Sequence, residues 1–225
     1  MDDLNARAIR AGLRGLAVLA ILIFLPAGTL HYWQGWTLLI TFTVASTALT
    51  VYMAVYDKKL LERRLRAGPR AETRTSQKII IVLVMLGSIA FLVFPVFDHR
   101  FGWSPVPPHV AIAGDVLIVL GFLFIFFVVR ENSYAASTIQ VAEDQRVIST
   151  GPYGLVRHPM YAGALVLILG LPLALDSWYG LLGFFGFLPV LVWRLSDEER
   201  FLTRNLPGYA EYKSKVRWRL IPGLF

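Results

Sequence analysis

The sequence predicts an all-α, polytopic membrane protein with about six transmembrane helices, a C-terminal helical hairpin and a cytoplasmic cofactor pocket. Three observations lead there. Of 225 residues, 56% are hydrophobic and only 16% charged, against roughly a quarter charged in a soluble domain. The mean hydropathy is +0.58. The apolar residues lie in long blocks, without the alternation of a half-buried strand.

Six blocks stand out, at 15–30, 36–56, 79–97, 110–129, 160–175 and 178–193. The middle three suffice to cross a hydrocarbon core of about 30 Å at about 1.5 Å per residue. The first and last two need flanking residues to reach. Asp176 separates the fifth block from the sixth, which predicts a tight hairpin. Charge sets the orientation. With six spans, the segments 1–14, 57–78, 130–159 and 194–225 share one side and hold 21 of the 22 Lys and Arg residues. Arg100 alone lies opposite. This asymmetry places both termini in the cytoplasm, in a plasma or inner membrane if the source is bacterial and an ER-type membrane if it is eukaryotic. Trp33, Trp36, Trp103 and Trp178 mark the other interface.

This organisation divides the chain into an N-terminal transmembrane hairpin (1–57), a basic cytoplasmic loop (58–78) and a membrane core (79–225) whose tail (194–225) is cytoplasmic. The first helix reads as uncleaved, since no small-residue cleavage site follows its basic start. The loop reads as a solvated, topology-setting element that attracts anionic headgroups of membrane lipids. A net charge of +7 is therefore explained without nucleic acid. With no cysteine, disulfides, thiolate ligands and a Cys nucleophile are excluded. No His/Asp/Glu spacing suggests a metal site. Asp115 lies close enough to the interface to snorkel.

Two polar clusters flank the last spans. The first ends in 151–163, GPYGLVRHPMYAG. Gly-Pro-Tyr-Gly reads as a turn, and Pro159 suits the first turn of the helix that follows. The second begins with Arg194 and continues through Asp197, Glu198 and Glu199 to Tyr209 and Tyr212. Arg194 and Glu198, four apart, share a helix face. A hairpin of the fifth and sixth spans brings Arg157-His158 beside Arg194–Glu199. Such a pocket combines cations, carboxylates and aromatic rings. Carboxylates accept hydrogen bonds from ribose hydroxyls, tyrosine rings attract a sulfonium, and an Arg holds an anionic group.

At these residues the sequence resembles the isoprenylcysteine carboxyl methyltransferases and their phospholipid methyltransferase relatives. Gly151-Pro152-Tyr153, Arg157-His158-Pro159-Met160-Tyr161, Glu198-Glu199 and Tyr209-x-x-Tyr212 carry the likeness, over about the C-terminal 95 residues. The resemblance implies S-adenosylmethionine as methyl donor. By position it would contact Gln140, Gln145, Arg146, Val147, Ile148, Tyr153, His158, Pro159, Met160, Tyr161 and Glu198. The resemblance also implies that Arg194 faces the carboxylate of a lipophilic or lipidated acceptor, and that Arg194, Glu198 and His158 form the catalytic set. Where Gln145 stands the family often has His, so a backbone contact is implied there. The segment after the two glutamates is shorter than in eukaryotic members.

An ionised carboxylate acceptor requires no general base. Catalysis would then rest on alignment and desolvation, with His158 and Glu198 as orienting groups. An amine acceptor would need a carboxylate or Tyr to take its proton. Two other classes fit parts of the sequence. Sterol-reductase-like proteins resemble the same C-terminal pattern, including Trp218–Pro222, and would use NADPH, whose 2′-phosphate needs a basic cluster such as Arg217 and Arg219. A transporter or structural subunit would need more polar residues inside its spans. The sequence does not fix an oligomeric state.

Overall fold

The structure, a computed structural model, describes residues 3–65, 75–135, 141 and 145–225, apart from the side chain of Ser76. Every regular element among these residues is helical: α1 Asp3–Ala27, α2 Trp33–Tyr56, α3 Lys58–Leu65, α4 Thr75–Phe101, α5 Pro108–Glu131, α6 Pro159–Ala174, α7 Gly180–Asn205 and α8 Tyr209–Lys215. Five of them, α1, α2, α4, α5 and α7, are long and apolar enough to cross a membrane. The sixth block forms α6, 16 residues long, or about 24 Å of helix. This is an integral membrane protein built from helices, as the apolar blocks predict.

Flanking residues extend the first and last blocks. α1 starts in the basic N-terminus, and α7 runs through Arg194 and the two glutamates to Asn205 without a break. The first part of the 58–78 stretch differs from a solvated loop, while 66–74 lie outside the described residues. Lys58–Leu65 is helical, with Leu60 and Leu61 buried. They pack with Ala8, Leu49, Met53, Ile125 and Val129, because an amphipathic turn buries its leucines while Lys58 and Lys59 stay exposed.

α6 packs against α5 most closely. A Cβ at Gly114 would fall on the backbone N of Ala174, and one at Gly170 would lie 2.5 Å from the Gly114 carbonyl. Small residues let transmembrane backbones approach where no hydrophobic driving force acts between helices. α7 lies mainly along α4. The α6–α7 hairpin is tight in the chain, as Asp176 predicts, yet its two arms lean on different partners.

The turn of this hairpin is clamped at the end away from the charged segments. Asp176, with φ 64°, accepts Val106 N–H at 2.5 Å and faces His99 Nδ1 at 2.7 Å. Asp98 accepts Ser104 N–H at 2.7 Å and the hydroxyls of Ser104 and Ser177. Tyr32 stacks on His99 at 4.0 Å and donates to the Leu175 carbonyl at 2.7 Å. Satisfied buried polar groups fix a unique arrangement. Trp33, Trp36, Trp103 and Trp178 are exposed around this end, as an aromatic belt requires.

Candidate functional site

Residues 151–154 form a single 3₁₀ turn, and α6 begins at Pro159, whose missing N–H costs nothing at the first helical position. The motif between them is held from behind. Arg157 N–H donates to the Trp218 carbonyl and His158 N–H to the Arg219 carbonyl, both at 2.9 Å. The tail thus lies along the Arg-His-Pro segment. α8 docks beside it, entered through Gly208 at φ 83°. Tyr209, Tyr212, Leu206 and Val216 are buried together, with Val147 and Leu202 against them. The Tyr212 hydroxyl donates to the Tyr153 carbonyl at 2.8 Å.

These elements enclose an open-sided polar cavity of about 840 Å³ counting its mouth. Gln145, Arg146, Val147, Ile148, Tyr153, His158, Pro159, Met160, Tyr161 and Glu198 all line it. Gln140 lies outside the described residues. Arg194 lies on a different wall. It closes the charged end of an apolar crevice among α4, α6 and α7, formed with Ile81, Val84, Leu165 and Leu191.

Tyr161 joins the two spaces, since it lines both. Its hydroxyl donates to Glu198 Oε2 at 2.7 Å and accepts from Arg194 Nε at 2.8 Å. Arg194 Nη1 donates to Gln77 Oε1 at 2.8 Å, and Gln77 Nε2 donates to Asp197. This chain fixes Arg194 from both sides. A guanidinium with a rigid fork is suited to hold a carboxylate in one orientation.

The adjacent glutamates do different things, because successive helical residues do not share a face. Glu198 faces the cavity. Glu199 is 2% exposed and gathers three cations, Arg157 Nε at 2.7 Å, Arg219 Nη2 at 3.4 Å and Lys213 Nζ at 3.6 Å, with His158 Nε2 beside them at 3.2 Å. A carboxylate pair that jointly binds a ribose is therefore not what these residues form. Glu199 ties the motif to the tail, and His158, though on the cavity wall, is oriented by Glu199.

Burial pushes the Tyr153 phenol up to about 12, partly opposed by a hydrogen bond from Asn132. Burial raises Tyr209 and Tyr212 further; the charges of Glu199 and Glu198 add to the rise of Tyr209. The cavity thus presents neutral phenols. The Tyr209 hydroxyl is buried with no hydrogen-bond partner among the described residues.

Sequence reasoning missed several contributors. Asn132, Tyr134, Ala135, Leu202 and Leu206 complete the wall. α3 holds its lip: Arg63 donates to the Ser133 carbonyl at 2.8 Å and Arg64 to the Ala135 carbonyl at 3.1 Å. Burial lowers the pKa of Arg64. The two buried leucines between charged residues were the available signal for a docked helix. Gln77, at the start of α4, carried no signal.

Residues 110–207 match the family described as phospholipid methyltransferase. The cobalt-zinc-cadmium resistance protein CzcN of Cupriavidus metallidurans is 31% identical over 105 residues, which cover 45% of this chain and 47% of that protein. The chain thus spans about half the length of this curated relative. The family match runs from α5 through the Arg-His-Pro motif to just past the end of α7 and leaves α1–α4 and residues 208–225 outside. Over residues 110–207 the chain is thus similar to the phospholipid methyltransferases, the relatives that its motifs resemble.

Proposed function

We propose that the protein is an S-adenosylmethionine-dependent methyltransferase that O-methylates a lipophilic carboxylate of the isoprenylcysteine type. The observation that carries this reading is the position of Tyr161, hydrogen-bonded to Glu198 in the polar cavity and to Arg194 at the head of the apolar crevice. A polar cofactor and an oily acceptor need separate spaces that meet at one point, and these two spaces meet there.

The donor set fits the cofactor. Tyr153, Tyr161 and Tyr209 offer ring faces suited to a sulfonium. Glu198 can accept hydrogen bonds from ribose hydroxyls, and the Tyr209 hydroxyl, buried without a partner among the described residues, adds a further polar atom. When bound, S-adenosylmethionine supplies an electrophilic methyl group on a positively charged sulfur. The chain's own residues do the rest. Arg194 pairs with the acceptor carboxylate and aims it. That carboxylate is ionised at neutral pH, so no proton is moved. Tyr161 fixes the spacing between Arg194 and Glu198. Met160, Leu202 and Leu206 add apolar surface to the cavity wall. His158 and Glu198 orient groups and transfer no proton.

The excess of Lys and Arg in the segments at the helix ends supports cytoplasmic termini, with the cavity on that side. The partners are membrane lipids and the lipidated acceptor; no nucleic acid or metal takes part. A second reading, favoured by the description of the matched family, is N-methylation of a phospholipid amine. Arg194 would then hold the phosphate and Glu198 would take the amine's proton.

The test is transfer of labelled methyl from S-adenosylmethionine to N-acetyl-S-farnesylcysteine and, separately, to vesicles of phosphatidylethanolamine. Label in the first is expected. An Arg194→Ala variant should then raise the acceptor's KM about tenfold or more, with the cofactor's nearly unchanged. Label in the phospholipid alone would establish the second reading. Label in neither would overturn both.

A further inference from the structure

α3 lies outside the matched family region, yet it grips two parts of the polar cavity. Its sequence, KKLLERRL, explains how. Asp57 starts the helix, since its Oδ1 accepts Leu60 N–H at 3.0 Å. Leu60 and Leu61 anchor it in a core that also takes in Ala135 and Met160, both on the cavity wall. Arg64 stands four residues after Leu60, so the anchored face also carries Arg64. Its stem lies along apolar surface while the guanidinium reaches polar atoms.

Most of those polar atoms belong to one turn. After α5, Ala135 N–H donates to the Asn132 carbonyl at 3.3 Å and Tyr134 N–H to Asn132 Oδ1 at 2.8 Å. The carbonyls of Ser133 and Ala135 then take donors from α3, Arg63 at 2.8 Å and Arg64 at 3.1 Å. Arg63 also lies over the Tyr134 ring, 5.0 Å from its centre. Arg64 Nη1 is 3.9 Å from Met160 Sδ in the first turn of α6. On the cavity side, Asn132 Nδ2 donates to the Tyr153 hydroxyl at 2.8 Å. α3 is thus linked to Met160 directly and to Tyr153 through the turn. Arg63 and Arg64 stand behind the cavity wall, not on it. A half-buried carbonyl and a half-buried guanidinium each lose free energy if the other is removed, so turn and helix hold one another in place.

We propose that Arg63 and Arg64 are positioning residues for the cofactor: from α3 they brace the 132–135 lip and Met160, and so hold Tyr153 and Met160 in the arrangement that binds S-adenosylmethionine. The inference rests on the methyltransferase reading for the identity of the cofactor. It gives the N-terminal hairpin a part in the site, because α3 follows α2 with Asp57 alone between them. A shift of α2 is passed through the two guanidinium groups to the lip.

The test exploits the absence of cysteine. Ala135→Cys places a single thiol on the lip of the full chain in nanodiscs, and its rate of maleimide labelling reports how firmly the lip is held. Binding of S-adenosylhomocysteine is measured by calorimetry on chains without that thiol. Arg64→Met keeps the stem and removes the donors. It should speed labelling about tenfold and weaken S-adenosylhomocysteine binding about tenfold, the scale of one hydrogen bond to a charged group. Arg64→Lys restores a donor and should recover most of both losses. Arg63→Met serves if Arg64→Met fails to fold. Lys59→Ala, on the exposed side of the same helix, should change neither. Labelling and binding both unchanged in Arg64→Met and Arg63→Met overturn the proposal. Equal losses in Arg64→Met and Arg64→Lys overturn it too, since the donor would then be irrelevant. Faster labelling with unchanged binding does the same, because the lip would not serve the cofactor. Faster labelling in a protein that binds no S-adenosylhomocysteine in any form, the unsubstituted chain included, supports the brace and sinks the cofactor reading instead.

Discussion

Arg157 Nε and Glu199 Oε1 meet at 2.7 Å with side chains 7% and 2% exposed, and this pair joins the two halves of the site. Arg157 comes from the loop before α6 and Glu199 from the charged end of α7. Arg157 Nη1 donates to the Val216 carbonyl at 3.2 Å and so reaches the tail. One guanidinium therefore holds three segments in register behind the cavity.

Replacing Glu199 should release the tail. Glu199→Leu leaves Arg157 buried without its anion, and such a loss costs about 3–5 kcal/mol. The variant should unfold at lower temperature and become sensitive to trypsin at Lys213, Lys215, Arg217 and Arg219. Unchanged tail protection would show that Glu199 does not secure it.

Glu198 should behave differently despite being its neighbour. It lines the cavity and is bonded to the Tyr161 hydroxyl. Glu198→Gln should weaken binding of S-adenosylhomocysteine by about tenfold or more, the scale of a hydrogen bond to a charged group, with thermal stability nearly unchanged. Equal losses of stability in the two variants would contradict the division of labour between them.

The α5–α6 contact makes a purely steric prediction. A side chain at Gly114 meets the backbone of Ala174, which cannot swing aside as a flexible side chain can. Gly114→Leu should be strongly destabilising and should lower cofactor binding, since α6 carries Met160 and Tyr161. Gly12→Leu, where a Cβ meets nothing, should be nearly silent in both measurements.

The buried phenols predict an alkaline limit. A phenol whose pKa is higher folded than unfolded stabilises the fold below its unfolded value. That contribution is lost as pH rises through the folded value. Tyr153 is raised from 10 to about 12, and Tyr209 and Tyr212 are also raised. The docked tail should therefore hold to about pH 10 and loosen above it. Phenolate absorbance followed together with tryptic release of the tail should show delayed ionisation of the buried tyrosines and release coupled to it. Release well below pH 10 would contradict this origin.

How far the sequence foretold this arrangement depends on which signals act locally. The apolar blocks and the Gly-Pro-Tyr-Gly turn are set by nearby residues, so they were legible. The meeting of Arg157-His158 with the end of α7 followed from the hairpin. The separate fates of Glu198 and Glu199 depend on which face of α7 the tail covers, and spacing alone does not give that. Arg194 on the crevice wall, off the polar cavity, depends on α7 leaning on α4 while α6 packs on α5 through Gly114 and Gly170. That choice is made by backbone approach in three dimensions. α3 was hidden because a short charged segment resembles a solvated loop until Leu60 and Leu61 are seen to have partners.

The most direct measurement is calorimetric binding of S-adenosylhomocysteine and, separately, NADPH to the purified full chain in nanodiscs. The methyltransferase account predicts micromolar binding of the first and none of the second. Binding of NADPH alone would contradict it and mark the tail pattern around Trp218–Pro222 as that of a reductase. Binding of neither would contradict a cofactor role for the cavity altogether.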